Sequence, residues 1–536
     1  MSASQPALIE RMRRLNEIGV ALSAERDTHR LLQTILEAAM DLVAADAGTI
    51  YTLENDRLHF EVMGNRSLGI EVRSEAARPK TFAPIPLYDE DGRPVTSLVV
   101  TSAVHQRRTI NIPDVYHAPE GYDFSGTHRF DEQSGYQTRS LLAIPMLNHE
   151  DDIIGVLQLI NAQDAAGRVV AFDEDLQQLA ESLASQAAVA LTNRRLIDEL
   201  NHLFDAFVRL IATAIDEKSP YTGGHCRRVP ELTMMLAEAA SRSDHPALRD
   251  FRLTDADRHE LSVAAWLHDC GKITTPEWVM DKATKLQTIR DRIHEVELRY
   301  EILRRDAEIE ALRALLREQG IDDTPARNAA AEAGRILDEE LDFLRRANIG
   351  GEFMEEADQQ RVREIAAREF ELAGNRRPLL DEDEVKNLCI PKGTLTPEER
   401  EIINNHIVAT IKMLESLPFP KHLARVPEYA GGHHERMDGR GYPRGLTGDQ
   451  MSIPARVMAI ADIFEALTAR DRPYKPGKKL SECLQIMGRM KLDHHIDPDL
   501  FDVFVREKVY LDYARRFLEP EQIDEVDEAE IPGYTP

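Results

Sequence analysis

The sequence predicts a multidomain chain: an α+β domain first, then an all-α domain that carries a helical insertion. Three observations predict it. At 536 residues the chain exceeds one ordinary domain. Short β-like runs between turns fill residues 47–162, with helical stretches on either side. From about residue 197 the pattern is helical, and within it residues 286–393 carry dense charge and few aromatics.

Taken in order, residues 6–43 predict a helix, with Leu15, Ile18, Leu22, Leu31, Leu32, Ile35 and Ala39 near helical spacing. The runs "AGTIYTL", "RLHFEVM", "TSLVVTSAV", "TRSLLAIPML" and "DIIGVLQLINA" predict strands, separated by turn-rich segments such as "NHEDD". Residues 173–216 predict one long helix, with Leu179, Leu183, Ala187, Leu191, Leu196, Leu200, Leu203 and Phe207 along it. The expected domains are an N-terminal helix at 1–27, a sensor domain at 28–196 and a helical domain at 197–536. The insertion, at 286–393, is expected to be solvent-exposed hairpins or coiled coil, including a third charged helix in "EEADQQRVREIAAREFELAG".

Composition excludes some function classes. Lys and Arg number 66 against 94 Asp and Glu, a net charge of −28, which disfavours a general nucleic-acid binder. No apolar run is long enough to span a membrane, and the first residues lack a signal-peptide core. The cysteines Cys226, Cys270, Cys389 and Cys483 form no CxxC pair, which fits a reducing cytoplasm.

The chemistry sits in four places. "SPYTGGHCRRVPEL" brings His225 to the start of a helix with core positions Val229, Leu232, Leu236 and Ala239. In "ELSVAAWLHDCGK" an apolar helix ends at His268-Asp269, with Gly271 expected as its cap. Asp462 interrupts the apolar helix "ARVMAIADIFEALTA". "GGHHERMDGRGYPRGL" joins His433-His434 to Gly441-Tyr442-Pro443. A helix-terminal histidine alone is ordinarily a surface or capping residue, and Asp462 alone fits a solvent-facing position. Together, carboxylates and imidazoles in apolar surroundings call for a partner, and a divalent metal supplies one. Such a nitrogen-rich set suits Fe, Mn or Zn better than Mg or Ca.

The segment "SLLAIPMLNHEDDIIGVLQLINAQD" followed by "FDEDLQQLAESLASQAAVALTNRRL" resembles the end of a GAF domain, a likeness covering residues 28–196. It implies a sensor with a small-molecule ligand, such as a cyclic nucleotide, or a dimerisation module without one. The cyclic-nucleotide signature is altered here: Asn161 is followed by Ala162, and Phe172 directly precedes Asp173 and Glu174.

The blocks "SPYTGGH", "HDCGKI", "LTPEEREIINNH", "GGHHERMDGRGYPRGL", "IPARVMAIADIFEALTARDRPYK" and "HHIDPDLFDVF" resemble the HD-GYP family of the HD superfamily of metal-dependent phosphohydrolases. The likeness covers residues 205–281 and 392–510, and the gap between them marks the insertion. It implies hydrolysis of cyclic di-GMP to pGpG, and in some members onward to GMP, with two divalent ions, Fe or Mn. It also implies the ligands: His225, His268, Asp269 and Asp462 for one metal, with Asp269 bridging to a second held by His406, His433 and His434. His294, in "TKLQTIRDRIHEV", is a rival to His406, which is preferred because its flanking block matches better. Members with a third metal carry an acidic residue where Tyr221 stands, so two metals are expected, with Asp216 further back.

Carried over from the same likeness, Asp269 and Lys272 are catalytic. Lys272, Arg472 and Lys475 bind the substrate phosphate, and Gly441, Tyr442 and Pro443 shape the loop at the pocket rim. Met437 stands where the family has Trp. The long helix at 173–216 predicts a parallel homodimer, and the GYP loop and insertion are candidate surfaces for protein partners. Two other functions stay open: hydrolysis of a different nucleotide, and a signalling adaptor with little catalysis.

Overall fold

The computed structural model describes residues 13–535 apart from 14, 23, 24, 26, 71–82, 219–223, 289, 318–323, 351, 352, 373, 374 and 471–476. Arg472, Lys475 and Tyr221 lie outside the described residues. The chain forms two compact units that divide between Leu203 and Phe204.

The first unit is a curled antiparallel sheet covered by helices. Helix α1 (Thr28–Leu42) starts where the Asp27 carboxylate accepts from the Arg30 amide at 2.7 Å. The single helix expected over 6–43 is therefore broken: residues 25 and 27 are non-helical, and Asp27 opens a new helix. Leu31, Leu32, Ile35, Leu36 and Ala39 bury one face of α1. The strands are β1 (Ala45–Glu54), β2 (Arg57–Asn65), β3 (Ile85–Pro86), β4 (Ile110–Ile112), β5 (Leu141–Leu147), β6 (Ile153–Gln163) and β7 (Val169–Val170). They pair in the order β3-β2-β1-β6-β5-β4, with β7 on β6.

The run "TSLVVTSAV", expected as a strand, is instead helix α2 (Val99–Gln106). Val99 through Val104 are all buried, so the run has no alternating face to choose between the two periods. Helix α3 (Ser125–Ser134) follows α2 in sequence. Helix α4 (Glu174–Lys218) is continuous, as the sequence predicts.

The second unit is built on helices α5 (His225–Arg242), α6 (Asp255–Leu267), α13 (His406–Glu415), α14 (Val426–Gly431) and α15 (Ile453–Thr468), with α16 (Leu480–Leu492), α17 (Pro498–Arg506) and α18 (Val509–Phe517). Leu232, Leu236, Leu261, Phe464, Phe504 and Tyr513 share one buried cluster. Between α6 and α13 run the short α7 (Glu277–Met280), then α8 (Ile293–Arg317), α9 (Thr324–Asn348), α10 (Glu356–Ala366), β8 (Glu369–Leu372), β9 (Asn375–Pro378), α11 (Glu382–Leu388) and α12 (Pro397–Asn404).

Residues 286–393 are not a set of merely exposed helices. Tyr300, Leu344, Val362, Leu379 and Leu388 form a core of its own. Those apolar residues are thinly spaced among charges, which disguises the core in sequence. The expected third helix also stops early: the chain leaves α10 and pairs β8 with β9, burying Phe370.

Candidate metal centre

The local folding of four segments brings the predicted histidines and aspartates together. α5 begins at His225, and its buried Val229, Leu232, Leu236 and Ala239 fix its roll. α6 is started by a capping box between Thr254 and Asp257 and ends at His268, followed by Asp269 and a 3-10 turn, Cys270–Thr274. Gly271 is not the expected cap; a Cβ there would lie 1.9 Å from the His406 carbonyl oxygen, so only glycine lets the turn press onto α13. The Gly271 amide donates to Thr410 Oγ1 at 2.8 Å. His406 opens α13, His433 and His434 follow α14, and Asp462 lies on α15.

The side chains converge. Nε2 of His225 lies 3.1 Å from Asp269 Oδ2 and 3.4 Å from Asp462 Oδ1. On the other side, Nε2 of His406 lies 3.3 Å from Asp269 Oδ1. The two oxygens of Asp269 thus face two separate groups. His225, His268 and Asp462 form one set of ligand atoms; His406, His433 and His434 form another; His268, Asp269 and His433 link them, each set lying within 4.8 Å.

The second ring nitrogens settle which atoms are free. Nδ1 of His268 donates to the Ala265 carbonyl at 2.7 Å, Nδ1 of His406 to Ile403 at 2.5 Å, and Nδ1 of His433 to Ala430 at 2.5 Å. With Nδ1 so engaged, each ring turns its Nε2 inward. Nε2 of His433 is buried with no hydrogen-bond partner among the described residues. Nε2 atoms also face each other, His225 with His268 at 3.4 Å and His406 with His434 at 3.2 Å. Such a nitrogen pair is held either by one ring's N–H or by a cation between the rings. The donor set fits divalent ions of the Fe, Mn or Zn type.

Electrostatics point the same way. Burial would push the His225 pKa down, but the carboxylates of Glu465 and Asp269 outweigh it and raise it to about 10. The same field favours any cation placed there. Burial and the neighbouring His268 hold His433 well below its usual value, and burial with His433 does so for His434, so both stay neutral. Burial opposes the Asp269 charge, yet Lys272 and the surrounding imidazoles keep its carboxyl well below the usual range. Lys272 Nζ donates to Asp269 Oδ2 at 2.6 Å, and that carboxylate outweighs burial to raise its pKa.

Two residues outside the expected set support the centre. Glu465, fully buried, accepts from His225 Nδ1 at 2.5 Å and from Arg228 Nε at 2.6 Å. It orients His225 and raises its basicity as an outer partner of a ligand does. Helical spacing could have found both: Glu465 is three after Asp462 and Arg228 three after His225. His294 is not in the cluster; it is exposed at the start of α8 and pairs with Glu297. Asp216 is buried and accepts backbone amides.

The Gly-Tyr-Pro loop touches the centre. The Tyr442 ring stacks on His434, centroids 4.9 Å apart, and the Tyr442 amide donates to the His434 carbonyl at 3.2 Å. Gly441 serves by lacking a side chain rather than by an unusual backbone angle: a Cβ would meet the Glu435 Cα at 2.4 Å. Buried Glu435 accepts from the Arg444 and Leu446 amides, which closes the loop around Pro443. Met437 lies over Gly448, where a Cβ would meet its methyl carbon at 2.3 Å.

The first unit holds a separate cavity of about 370 Å³, lined by Tyr51, Phe60, Val100, Phe124, Tyr136 and Gln158 among others. Asp123 is the one charged residue among its described lining residues. Asn161 is committed to structure, accepting the Arg139 amide and donating to Tyr136 Oη and the Gln137 carbonyl.

A GAF-domain model matches residues 27–191, and HD-domain models match residues 222–349 and 383–500. The chain therefore combines a GAF domain with an HD domain carrying extra helices. It is 49% identical over 81 residues to a 3'3'-cGAMP-specific phosphodiesterase 1 of Vibrio cholerae serotype O1, covering 15% of this chain and 19% of that protein. It is 27% identical over 303 residues to the 3'3'-cGAMP-specific phosphodiesterase 3 of the same organism, 56% of this chain and 39% of that protein. It is 38% identical over 114 residues to a cyclic di-GMP phosphodiesterase of Pseudomonas aeruginosa, 21% and 26% of the two chains. The matches span between 19% and 39% of the length of these curated relatives. No helix among the described residues is long and apolar enough to cross a membrane.

Proposed function

We propose that this chain is a metal-dependent phosphodiesterase of the HD-GYP type that hydrolyses cyclic di-GMP to pGpG in the cytoplasm and is regulated through its GAF domain. The observation that carries the reading is the convergence of inward-facing imidazole nitrogens around the two oxygens of Asp269. His225, His268, Asp269 and Asp462 would hold one divalent ion, and Asp269, His406, His433 and His434 a second, both Fe or Mn. When bound, such ions supply a hydroxide at neutral pH and stabilise charge on the phosphoryl oxygens.

The chain's own residues do the rest. Asp269 keeps its charge at the junction of the two sets, and Lys272 stands beside it as a cation for the scissile phosphate or the departing 3′ oxygen. Arg472 and Lys475 are assigned to the phosphate on the sequence motif alone. Tyr442 stacks on His434 and helps to hold its ring in place.

The second substrate reading is 3'3'-cGAMP, because the segment of highest identity among the three relatives above belongs to a 3'3'-cGAMP-specific phosphodiesterase. Hydrolysis rates on cyclic di-GMP and 3'3'-cGAMP, with Mn-loaded protein under anaerobic conditions, separate the two. Conversion of cyclic di-GMP to pGpG that Asp269→Ala abolishes, by about 10³-fold or more, supports the proposal. Failure to hydrolyse either dinucleotide contradicts it and favours an adaptor role.

The dimer is assigned to α4, where Leu196, Leu200, Leu203, Phe207 and Leu210 are exposed at alternating four- and three-residue spacing. A second copy in parallel register would cover them; a monomer by light scattering at micromolar concentration contradicts this. The GAF cavity is assigned a small regulatory ligand. Its described lining offers aromatic and amide groups for a nucleobase, as in a cyclic nucleotide, with no Lys or Arg for a phosphate.

A further inference from the structure

We infer that the last turn of α4 sets the geometry of the metal centre, with Asp216 and Lys218 as positioning residues for the two backbone segments that carry His225 and Asp269–Lys272. The inference rests on reading the His/Asp cluster as a metal centre.

Asp216 acts on the first segment. The N-cap of α5 is Gly224, which has no side chain to bond the first amides of the helix. Asp216 does so from another helix: its Oδ2 accepts from the Gly224 amide at 3.2 Å and its Oδ1 from the Cys226 amide at 3.3 Å. These amides flank His225 on both sides. A buried carboxylate at a helix N-terminus is also favoured by the helix dipole.

Lys218 acts on the second. Its Nζ donates to the carbonyls of Ile273 at 2.6 Å, Thr275 at 2.7 Å and Lys272 at 3.3 Å. An ammonium has three protons, and here all three are taken by the end of one short turn. That turn begins directly after Asp269 and contains Lys272. Its opposite side is fixed by Gly271 against Thr410. The turn is thus held from α13 on one side and from α4 on the other.

One anion and one cation, two residues apart on one helix, therefore hold the two segments in a fixed relation. Nε2 of His225 and Oδ2 of Asp269, which must serve one ion together, lie 3.1 Å apart across this clamp. α4 is also the helix that begins in the first unit, at Glu174. An axial shift or rotation of its last turn moves both segments at once. A plain capping role predicts only a loss of stability, whereas a positioning role predicts a change at the centre in protein that remains folded.

The test uses the full chain with Lys218→Met, Lys218→Arg and Asp216→Asn. Three quantities are read: Mn²⁺ affinity by titration calorimetry, kcat and KM on cyclic di-GMP, and the thermal midpoint. Lys218→Met is expected to weaken Mn²⁺ affinity and lower kcat roughly 10-fold or more, with KM within about twofold, on the scale of lost outer-shell support. Lys218→Arg, which still donates to carbonyls, should restore most of both. Asp216→Asn, which retains one acceptor, should weaken Mn²⁺ binding less than Lys218→Met.

A lowered thermal midpoint, with Mn²⁺ affinity and kcat of the folded variants within twofold of the parent, overturns the inference. A parent chain that binds Mn²⁺ but hydrolyses no cyclic dinucleotide sinks the proposed function and leaves the Mn²⁺ titrations to decide this one. A parent that binds no divalent ion overturns both.

Discussion

Two groups of buried polar side chains lie in the helical unit, and they are built on opposite principles. In and beside the insertion, donors meet acceptors. Lys282 Nζ bonds both oxygens of Glu399 and the Asn387 carbonyl oxygen at 2.7–2.8 Å. Arg299 grips Glu384 and the Leu379 carbonyl, and Asn348 joins Asp291 to the Leu286 amide. In the candidate metal centre, imidazole nitrogens and carboxylates converge on one another, and His433 Nε2 has no hydrogen-bond partner among the described residues. Burial of charge is common to both. Unbalanced convergence marks the candidate site, because ligand atoms gathered around one point are stabilised by a divalent cation.

The comparison can be broken from either side. The largest effect is expected for Glu399→Ala, which leaves Lys282 charged and unpaired in the interior; it should cost about 3–5 kcal/mol in urea unfolding. Mn²⁺ affinity of the folded fraction should not move. A loss of metal affinity as large as the loss of stability would merge the two groups into one.

Glu465→Gln probes the other side. The amide still reaches His225 but no longer raises its basicity, so Mn²⁺ affinity should fall roughly 10- to 100-fold. Unchanged affinity in calorimetry would mean that Glu465 is merely a packed carboxylate.

A smaller effect comes from Lys285, whose pKa burial lowers from 10.5 to about 8. Its folded state binds its proton more weakly than the unfolded chain does. The penalty for burying the charge is therefore full below pH 8 and relieved as pH rises from about 8 to 10.5. Hydrogen-exchange protection of α11 amides should rise over that window by roughly 1–2 kcal/mol relative to Lys285→Met. A flat difference between the two proteins would refute the sign. The smallest effect is His294→Ala, which should leave metal content and kcat within about twofold, because an exposed pair contributes little. Loss of a metal on that change would restore His294 as the rival of His406.

Legibility in the sequence follows the same division. The candidate ligands stand in contiguous blocks, so His225, His268, Asp269, His406, His433, His434 and Asp462 could be singled out in the sequence, and the fold brings them into one cluster. The helices around them follow from apolar periodicity. The network in and beside the insertion was not legible, because Lys282 finds Asn387 and Glu399 at sequence separations of 105 and 117. Each of these residues alone looks like a surface polar group. The helix α2 was misread as a strand because its apolar run lacks a period. Gly271 and Gly441 announced themselves as glycines, but the backbone approaches that require them belong to the tertiary structure.

The most direct test of the central claim is the metal content of the Mn-loaded, anaerobically purified chain, measured by elemental analysis against protein concentration. The account predicts about two divalent ions per chain, as two ligand sets sharing Asp269 require. A chain that is folded by circular dichroism and retains none after desalting would contradict it.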